Sequence, residues 1–430
     1  MLDIKLVREN PELVKQNIKK KFQGDKLPLV DKVIESDKEW RKLKYKGDQL
    51  RQERNKISEE INKAKKTRDN KKARELIKKA KAIPGKIAKN QEKAKKLEHQ
   101  IKDILSTLPN IISKRTPLGK SEKDNKVLKK AGKPAKFTFP VKNHVELAEE
   151  NGWADFDASA KVSGTGFYYL KGDLALLNQA LIRFAIDFML KKGYEYIETP
   201  LMLHEKQIYA SMDRSTIEES VYEIRDEDLG LIGTAEQSLL AMHSNQDILF
   251  KELPKKYFSY SMCFRKETGA HGINEKGLWR THQFNKVEQF IFCRPEESEK
   301  FYDELLKNSE EILNKLELPY RVVEMCSAQL SDWKHRSADL DVWRPTTKKY
   351  EEVMSLSNCT DYQARKLNIR IVDKSGERRV SHTLNNTALA TSRIMVVILE
   401  NYQQKDGSVK IPRVLQPYMN KKKKLEAKKK

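Results

Sequence analysis

Two apolar seams constrain this chain more than any other feature. Leu43, Leu50, Ile57 and Ala64 recur every seventh residue, and so do Ile87, Ala94, Ile101 and Leu108. A seven-residue apolar repeat draws one stripe along a helix, and that stripe has to be buried against another helix. The companion positions are weaker, because Arg54 falls where an apolar residue is expected. Polar residues Thr67 to Lys72 lie between the seams and suit a turn. The pattern predicts two long helices, roughly 31–66 and 73–107, folded back as an antiparallel hairpin. At a rise of ~1.5 Å per residue each would run about 50 Å. Pro84 fits a first helical turn better than a helix interior, which predicts a kink or a late start in the second helix.

The same region carries the charge. Residues 61–100 hold fifteen Lys/Arg and four Asp/Glu, an excess of eleven, which is nearly half of the net charge of +23. A balance this basic points to a polyanion, either nucleic acid or a membrane surface. A lysine-rich solubilising face and a dimerising coiled coil without a ligand fit the same pattern. A thin-cored hairpin also accounts for a hydrophobic content of only 38%. The four cysteines, Cys263, Cys293, Cys326 and Cys359, form no C-x-x-C pair, so neither a zinc site nor a disulfide framework is expected. The opening MLDIKLVREN carries charge without an apolar run, and no stretch approaches the ~18 apolar residues of a membrane span. The expectation is a cytoplasmic protein without a membrane partner.

Beyond Leu108 the pattern changes. Residues 115–140 are rich in Pro, Gly and Lys and read as a linker. Tyr168–Leu170, Tyr194–Ile197 and Phe290–Phe292 suit strands, whereas Leu174–Leu190 and Ala388–Tyr402 read as amphipathic helices. Strands and helices mix without regular alternation, which favours an α+β fold. The expected organisation is a helical hairpin domain over 1–110, a linker over 111–143, a globular domain over 144–420, and a disordered basic tail over 421–430. There is no P-loop and no G-x-G-x-x-G motif.

Three segments set unusual polar groups into apolar surroundings. The first runs from Phe264-Arg265-Lys266-Glu267 through a glycine-bearing loop to Arg280-Thr281-His282-Gln283-Phe284-Asn285-Lys286-Val287-Glu288. It reads as strand, loop, strand, with an arginine and two glutamates able to face one pocket. A guanidinium fork suits phosphate, although cross-strand salt bridges of a surface hairpin would look alike. The second runs from Ser381 to Arg393 and reads as the opening of a helix to Tyr402, with Asn385 and Thr387 near its cap. Arg393 precedes the apolar run Ile394–Leu399 and needs a partner, either a phosphate or a buried carboxylate. The third comprises Gly233-Thr234-Ala235-Glu236 and Glu352-Val353-Met354-Ser355, weak signals alone. Carboxylates beside a phosphate site hold magnesium or a substrate amine.

Taken together these motifs resemble the seryl-tRNA synthetases among the class II aminoacyl-tRNA synthetases. The resemblance rests on F-R-x-E, H-Q-F-x-K-x-E and H-T-L-N-x-T…R followed by E-N-Y-Q. It extends from MLDIKLVRENPE through Lys161–Gly164 and Phe167–Gly172 to Val414–Met419. Glu236-Gln237 and the segment Asn358–Arg365 are similar to the archaeal and eukaryotic branch.

The resemblance implies an antiparallel catalytic sheet flanked by helices, with Gly193–Pro200 building a homodimer interface. It implies ATP and L-serine as substrates, Mg²⁺ accompanying ATP, and serine transfer RNA gripped by the hairpin. Whether selenocysteine transfer RNA is also charged stays open. Arg265 and Arg393 become the catalytic arginines, on the α- and γ-phosphates. Lys266, Glu267, Thr281, His282, Gln283 and Phe284 complete the ATP set, with Glu267 on the adenine amino group and Phe284 stacked on the ring. Glu352, Val353, Met354 and Ser355 form the segment that binds ATP with the metal, held by Glu352 and Ser355. Thr234, Ala235 and Glu236 take the serine ammonium, Arg265 its carboxylate, and Glu288, Asn385 and Thr387 its side chain. The family's motif-two loop carries two arginines, whereas here it reads Gly272-Ile-Asn-Glu-Lys-Gly277, which puts the acceptor-end contacts in doubt. Two alternatives remain at this stage: an inactive paralogue that binds RNA, and a ligase that loads a carrier protein.

Overall fold

The computed structural model describes residues 1–267 and 276–428, apart from the side chains of residues 214 and 215. The motif-two loop, but for Lys276 and Gly277, lies outside the described residues. The chain divides into two compact units, residues 1–19 with 23–109, and residues 20–22 with 110–430.

In the first unit two short helices, α1 (Ile4–Glu9) and α2 (Pro11–Lys20), precede the long α3 (Leu27–Lys66) and α4 (Asn70–Thr107). The seams form the interface: Leu50, Ile57, Leu76, Ile83 and Ile87 build one apolar cluster. Asp69 starts the return helix by accepting a hydrogen bond from the Lys72 amide at 3.0 Å. The expected late start at Pro84 is corrected, because α4 begins at Asn70 and continues through it. Pro84 is exposed while Ile83 and Ile87 on either side are buried. The missing N–H thus falls on the solvent face, and seam burial offsets a cost of about 3 kcal/mol. One seam position is polar. Buried Asn90 donates to the Leu43 carbonyl at 2.9 Å, and Gly47 makes room for it, since a Cβ there would lie 3.0 Å from Asn90 Nδ2. A polar seam residue with one partner fixes register.

The second unit is built on an eight-stranded sheet. Its strands are β1 (Lys126–Ala131), β2 (Glu195–Tyr196), β3 (Lys255–Phe264), β4 (Gln283–Cys293), β5 (Tyr320–Glu324), β6 (Arg336–Arg344), β7 (Lys349–Thr360) and β8 (His382–Ala390). They lie in the order β1-β5-β6-β7-β8-β4-β3-β2, antiparallel except at β2. The helices that frame the site are α5 (Gly172–Lys191), α6 (Glu205–Ser211), α7 (Ala235–Ala241), α8 (Ser298–Lys315), α9 (Tyr362–Lys366) and α10 (Thr391–Tyr402). Val287, Ile291 and Cys293 on one face of β4 join the main core with α5, α8 and α10. Phe290 and Phe292 on the other face join a second core with Leu239, Leu240 and Ala364.

Three expectations change here. The linker contains β1, an exposed edge strand; lysine on an edge blocks further pairing, so its composition imitates a loop. Residues 382–390 are a strand, and the helix begins only at Thr391. That helix is buried on nearly every side rather than amphipathic. The tail is folded through residue 428: β9 (Val409–Lys410) pairs with β10 (Lys424–Leu425), and fully buried Leu425 joins the main core. The Lys422–Asp173 ion pair and a hydrogen bond from the Lys428 amide to Asn151 Oδ1 add to this anchor.

Gly47→Leu crowds Asn90 and is expected to destabilise the hairpin by about 1–3 kcal/mol. Denaturant unfolding monitored by helical circular dichroism measures this.

Candidate active site

The site follows from strand alternation on β4. Phe284, Lys286 and Glu288 share the face that continues into Phe290 and Phe292. The polar end of that face opens into a cavity of about 340 Å³. Lys286 and Glu288 are both buried and form an ion pair with each other. Glu288 also accepts from Thr234 Oγ1 at 3.1 Å.

Two bulges bring further residues to the cavity. In β7, Val353 is an extra residue between the pairs Leu340–Met354 and Asp341–Glu352. An inserted residue reverses the alternation, so Glu352 and Ser355, three apart, both line the cavity. In β8, Ala388 plays the same part between Thr387 and Leu389. Asn385, Thr387 and Ala390 therefore all reach the site.

Arg265 follows β3 directly. Its Nε donates to the Gly233 carbonyl at 3.1 Å, and its guanidinium lies 5.2 Å from the Phe284 ring centroid. Arg393 sits in the first turn of α10, where its Nη1 donates to the Glu352 carbonyl at 2.8 Å and lies 3.3 Å from Glu352 Oε2. The Trp279 ring lies 5.4 Å from the Arg393 guanidinium and 4.3 Å from that of Arg344. Glycine at 277 is required, because a Cβ there would lie 2.3 Å from His144 Nε2, which accepts from the Leu278 amide.

Glu236 lies in the first turn of α7, after Thr234 as its cap. Gln363 Nε2 and Asn385 Nδ2 donate to Glu236 Oε1 at 2.7 and 2.9 Å. Burial pushes this carboxyl up to about 7, with the Glu288 charge adding to the rise and Gln363, Lys286 and Lys334 opposing it. Asp339, paired across the strands with Ser355, is also pushed up to about 7, by burial and then by the Glu352 charge.

The cavity thus gathers Thr234, Glu236, Arg265, Glu267, Thr281, Phe284, Glu288, Glu352, Val353, Met354, Ser355, Asn385, Thr387 and Arg393. Four expected residues do not line it. Ala235 is buried within α7. His282 buttresses the site instead, stacked 5.1 Å from Phe167, with Nδ1 3.0 Å from the Arg265 carbonyl and 2.9 Å from the Tyr222 hydroxyl. Gln283 is turned to the opposite side, where it donates to Met262 Sδ at 3.6 Å. The Lys266 amide bonds the Ser220 carbonyl at 2.8 Å, and its side chain is not among the lining groups. Sequence reasoning passed over Trp279, Arg280, Lys286, Trp333 and Lys334, all of which line the cavity. Arg280 and Lys286 lay inside a quoted motif; nothing local marked Trp333 or Lys334.

Removing one partner of a buried ion pair leaves the other uncompensated. Lys286→Met is expected to cost about 3–5 kcal/mol of stability in urea unfolding. Adding Glu288→Leu should recover most of that loss.

The comparisons with known proteins agree with this architecture. Residues 1–112 match the family described as seryl-tRNA synthetase N-terminal domain. Residues 220–402 match the tRNA synthetase class II core domain (G, H, P, S and T). The serine–tRNA ligase of Methanocorpusculum labreanum is 47% identical over 422 residues, covering 98% of this chain and 99% of that one. The crystal structure of seryl-tRNA synthetase from Pyrococcus horikoshii complexed with ATP is similar at a TM-score of 0.92 and 41% identity, over the whole of both chains. The cytoplasmic serine–tRNA ligase of Naegleria fowleri in complex with AMP is similar at a TM-score of 0.87 and 34% identity, over 100% of this chain and 99% of that one. With both family regions in order and likeness along its full length, the chain belongs to the seryl-tRNA synthetases.

Proposed function

We propose a division of labour among the cavity residues for the two steps of serine–tRNA ligation. The enzyme activates serine with ATP and transfers it to transfer RNA. The observation that carries the assignment is one cavity holding Arg265 and Arg393 together with the buried carboxylates Glu236 and Glu288. Guanidinium forks match phosphate oxygens, and buried carboxylates match an ammonium and a hydroxyl.

Arg265 holds the α-phosphate and the serine carboxylate, and Phe284 stacks on adenine, with Glu267 at its amino group. Arg393 holds the γ-phosphate. Thr234 and Glu236 take the serine ammonium, while Glu288, Asn385 and Thr387 surround the hydroxyl. Alanine would leave those groups unpaired, which penalises it far more than a missing methylene would.

The serine carboxylate oxygen attacks the α-phosphorus in line, the bond to pyrophosphate breaks, and a mixed anhydride forms. The terminal ribose hydroxyl of the RNA then attacks the carbonyl carbon, and AMP leaves. The protein supplies positioning and neutralisation of developing charge, with no side-chain nucleophile. The residues also fit Mg²⁺: the bulge at Val353 sets the carboxylate of Glu352 and the hydroxyl of Ser355 on the cavity face, two oxygen donors of the kind a hard cation takes. Glu352 and Ser355 would hold the ion, which when bound shields the phosphates. A homodimer through Gly193–Pro200 completes the reading.

The hairpin's exposed lysines bind the RNA backbone, which makes affinity salt-dependent. Reversing Lys65, Lys66, Lys71 and Lys72, all exposed around the hairpin turn, to Glu is expected to cut kcat/KM for charging roughly tenfold or more. Serine-dependent pyrophosphate exchange should not move.

Arg265→Ala and Arg393→Ala are each expected to abolish seryl-adenylate formation, because each removes a charge-assisted phosphate contact. The exchange assay reads the loss, and an unchanged melting temperature shows that the fold survives. Near-normal exchange in both variants would overturn the placement of the two phosphate sites.

A further inference from the structure

Gln363 belongs to the segment Asn358–Arg365, and none of the roles above uses it. It is fully buried and lines no part of the cavity. Its amide is nevertheless engaged at both ends. Nε2 donates to Glu236 Oε1 at 2.7 Å and to the Ser211 carbonyl at 2.9 Å, while Oε1 accepts from Thr383 Oγ1 at 2.7 Å. These partners assign the amide orientation. Reversed, its carbonyl oxygen would face a carboxylate and a carbonyl, both of which only accept.

Glu236 shows what this clamp does. Both donors that reach its carboxylate, Gln363 and Asn385, address Oε1. Among the described residues no donor reaches Oε2, and the side chain lines the cavity. The carboxylate is therefore held by one oxygen and offered by the other. We propose that Gln363 is a positioning residue for amino-acid binding, holding Glu236 so that Oε2 meets the α-ammonium of the substrate. This rests on the reading of Glu236 as the ammonium acceptor.

The surroundings make the clamp electrostatic as well as geometric. Glu236 faces Glu288 and Lys286 of β4, Lys334 from the segment before β6, Cys359 of β7 and Asn385 of β8. Burial and Glu288 favour its neutral form, whereas Gln363, Lys286 and Lys334 favour its anion. Loss of the Gln363 donor therefore raises the pH at which the carboxyl ionises. A neutral carboxyl cannot balance an ammonium, so serine binding improves as pH rises through that point. Without the donor, the improvement comes at higher pH.

The test is Gln363→Leu in serine-dependent pyrophosphate exchange between pH 6 and 9. At pH 7 the serine KM should rise roughly fivefold, as follows when a carboxyl that ionises near neutrality moves up by about one unit of pKa, with the ATP KM within about twofold of normal. The penalty should shrink towards pH 9. Thr383→Val, which removes only the hydroxyl that orients the amide, should act in the same direction more weakly, and Thr383→Ser should restore normal behaviour. This pair serves if the leucine variant does not fold. Glu236→Gln should raise the serine KM at every pH. If Glu236→Gln leaves serine KM unchanged, the ammonium reading fails. If Glu236→Gln acts while the Gln363 and Thr383 variants leave serine KM and its pH profile unchanged, the clamp fails. A rise of both serine and ATP KM at every pH would reduce Gln363 to a structural residue and overturn the proposal.

Discussion

The central strand Gln283–Cys293 is covered on both faces and still carries a lysine and a glutamate in its buried stretch. Much of the second unit answers that constraint. A buried charge is tolerated only when paired and hydrogen-bonded. Lys286 and Glu288 therefore pair with each other, and Thr234 adds a donor to Glu288. Glu236, nearby, needs Asn385 and Gln363, and Gln363 in turn needs Thr383 and Ser211. The chain of obligations crosses β4, β8, α6, α7 and α9. The site's polarity and the packing of these elements are one problem.

How far the sequence could be read depended on the range of the interaction. The hairpin was legible because its seams repeat every seven residues, and burial of Leu50, Ile57, Ile87 and Ala94 follows that repeat. Pro84 was misread because a local rule was applied without the seam that outweighs it. The tail was misread from its lysines, although Leu425 joins the main core and its strand pairs with Val409–Lys410. Residues 382–390 looked like the start of a helix because a strand buried on both faces shows no alternation. Motif recognition brought the right stretches together but treated them as blocks. Strand alternation then divides the block, turning Phe284 inwards and Gln283 away. Gln363 could not be assigned a role from sequence, because its partners lie 127, 152 and 20 positions away.

The cavity itself arises where the sheet stops pairing. The last paired rung between β7 and β8 in this direction is Leu356–Asn386. Just beyond it each strand bulges, at Val353 and at Ala388. A bulge bends its strand and adds twist, so two neighbouring bulges part the strands and turn side chains of both parities into the gap. That is why Glu352 and Ser355 reach one space together with Asn385, Thr387 and Ala390.

The same break places the arginine. Strand β8 ends at Ala390 and α10 begins at once with Thr391, so Arg393 falls in the first helical turn beside the opened edge. Its guanidinium takes up the Glu352 carbonyl there and keeps contact with the Glu352 carboxylate. An arginine deeper in α10 would enter the run Ile394–Leu399, which is fully buried, and could not reach a ligand. One position along the chain thus separates a guanidinium that lines the cavity from a buried charge, and the bulge at Ala388 sets that position by adding a residue before the helix starts.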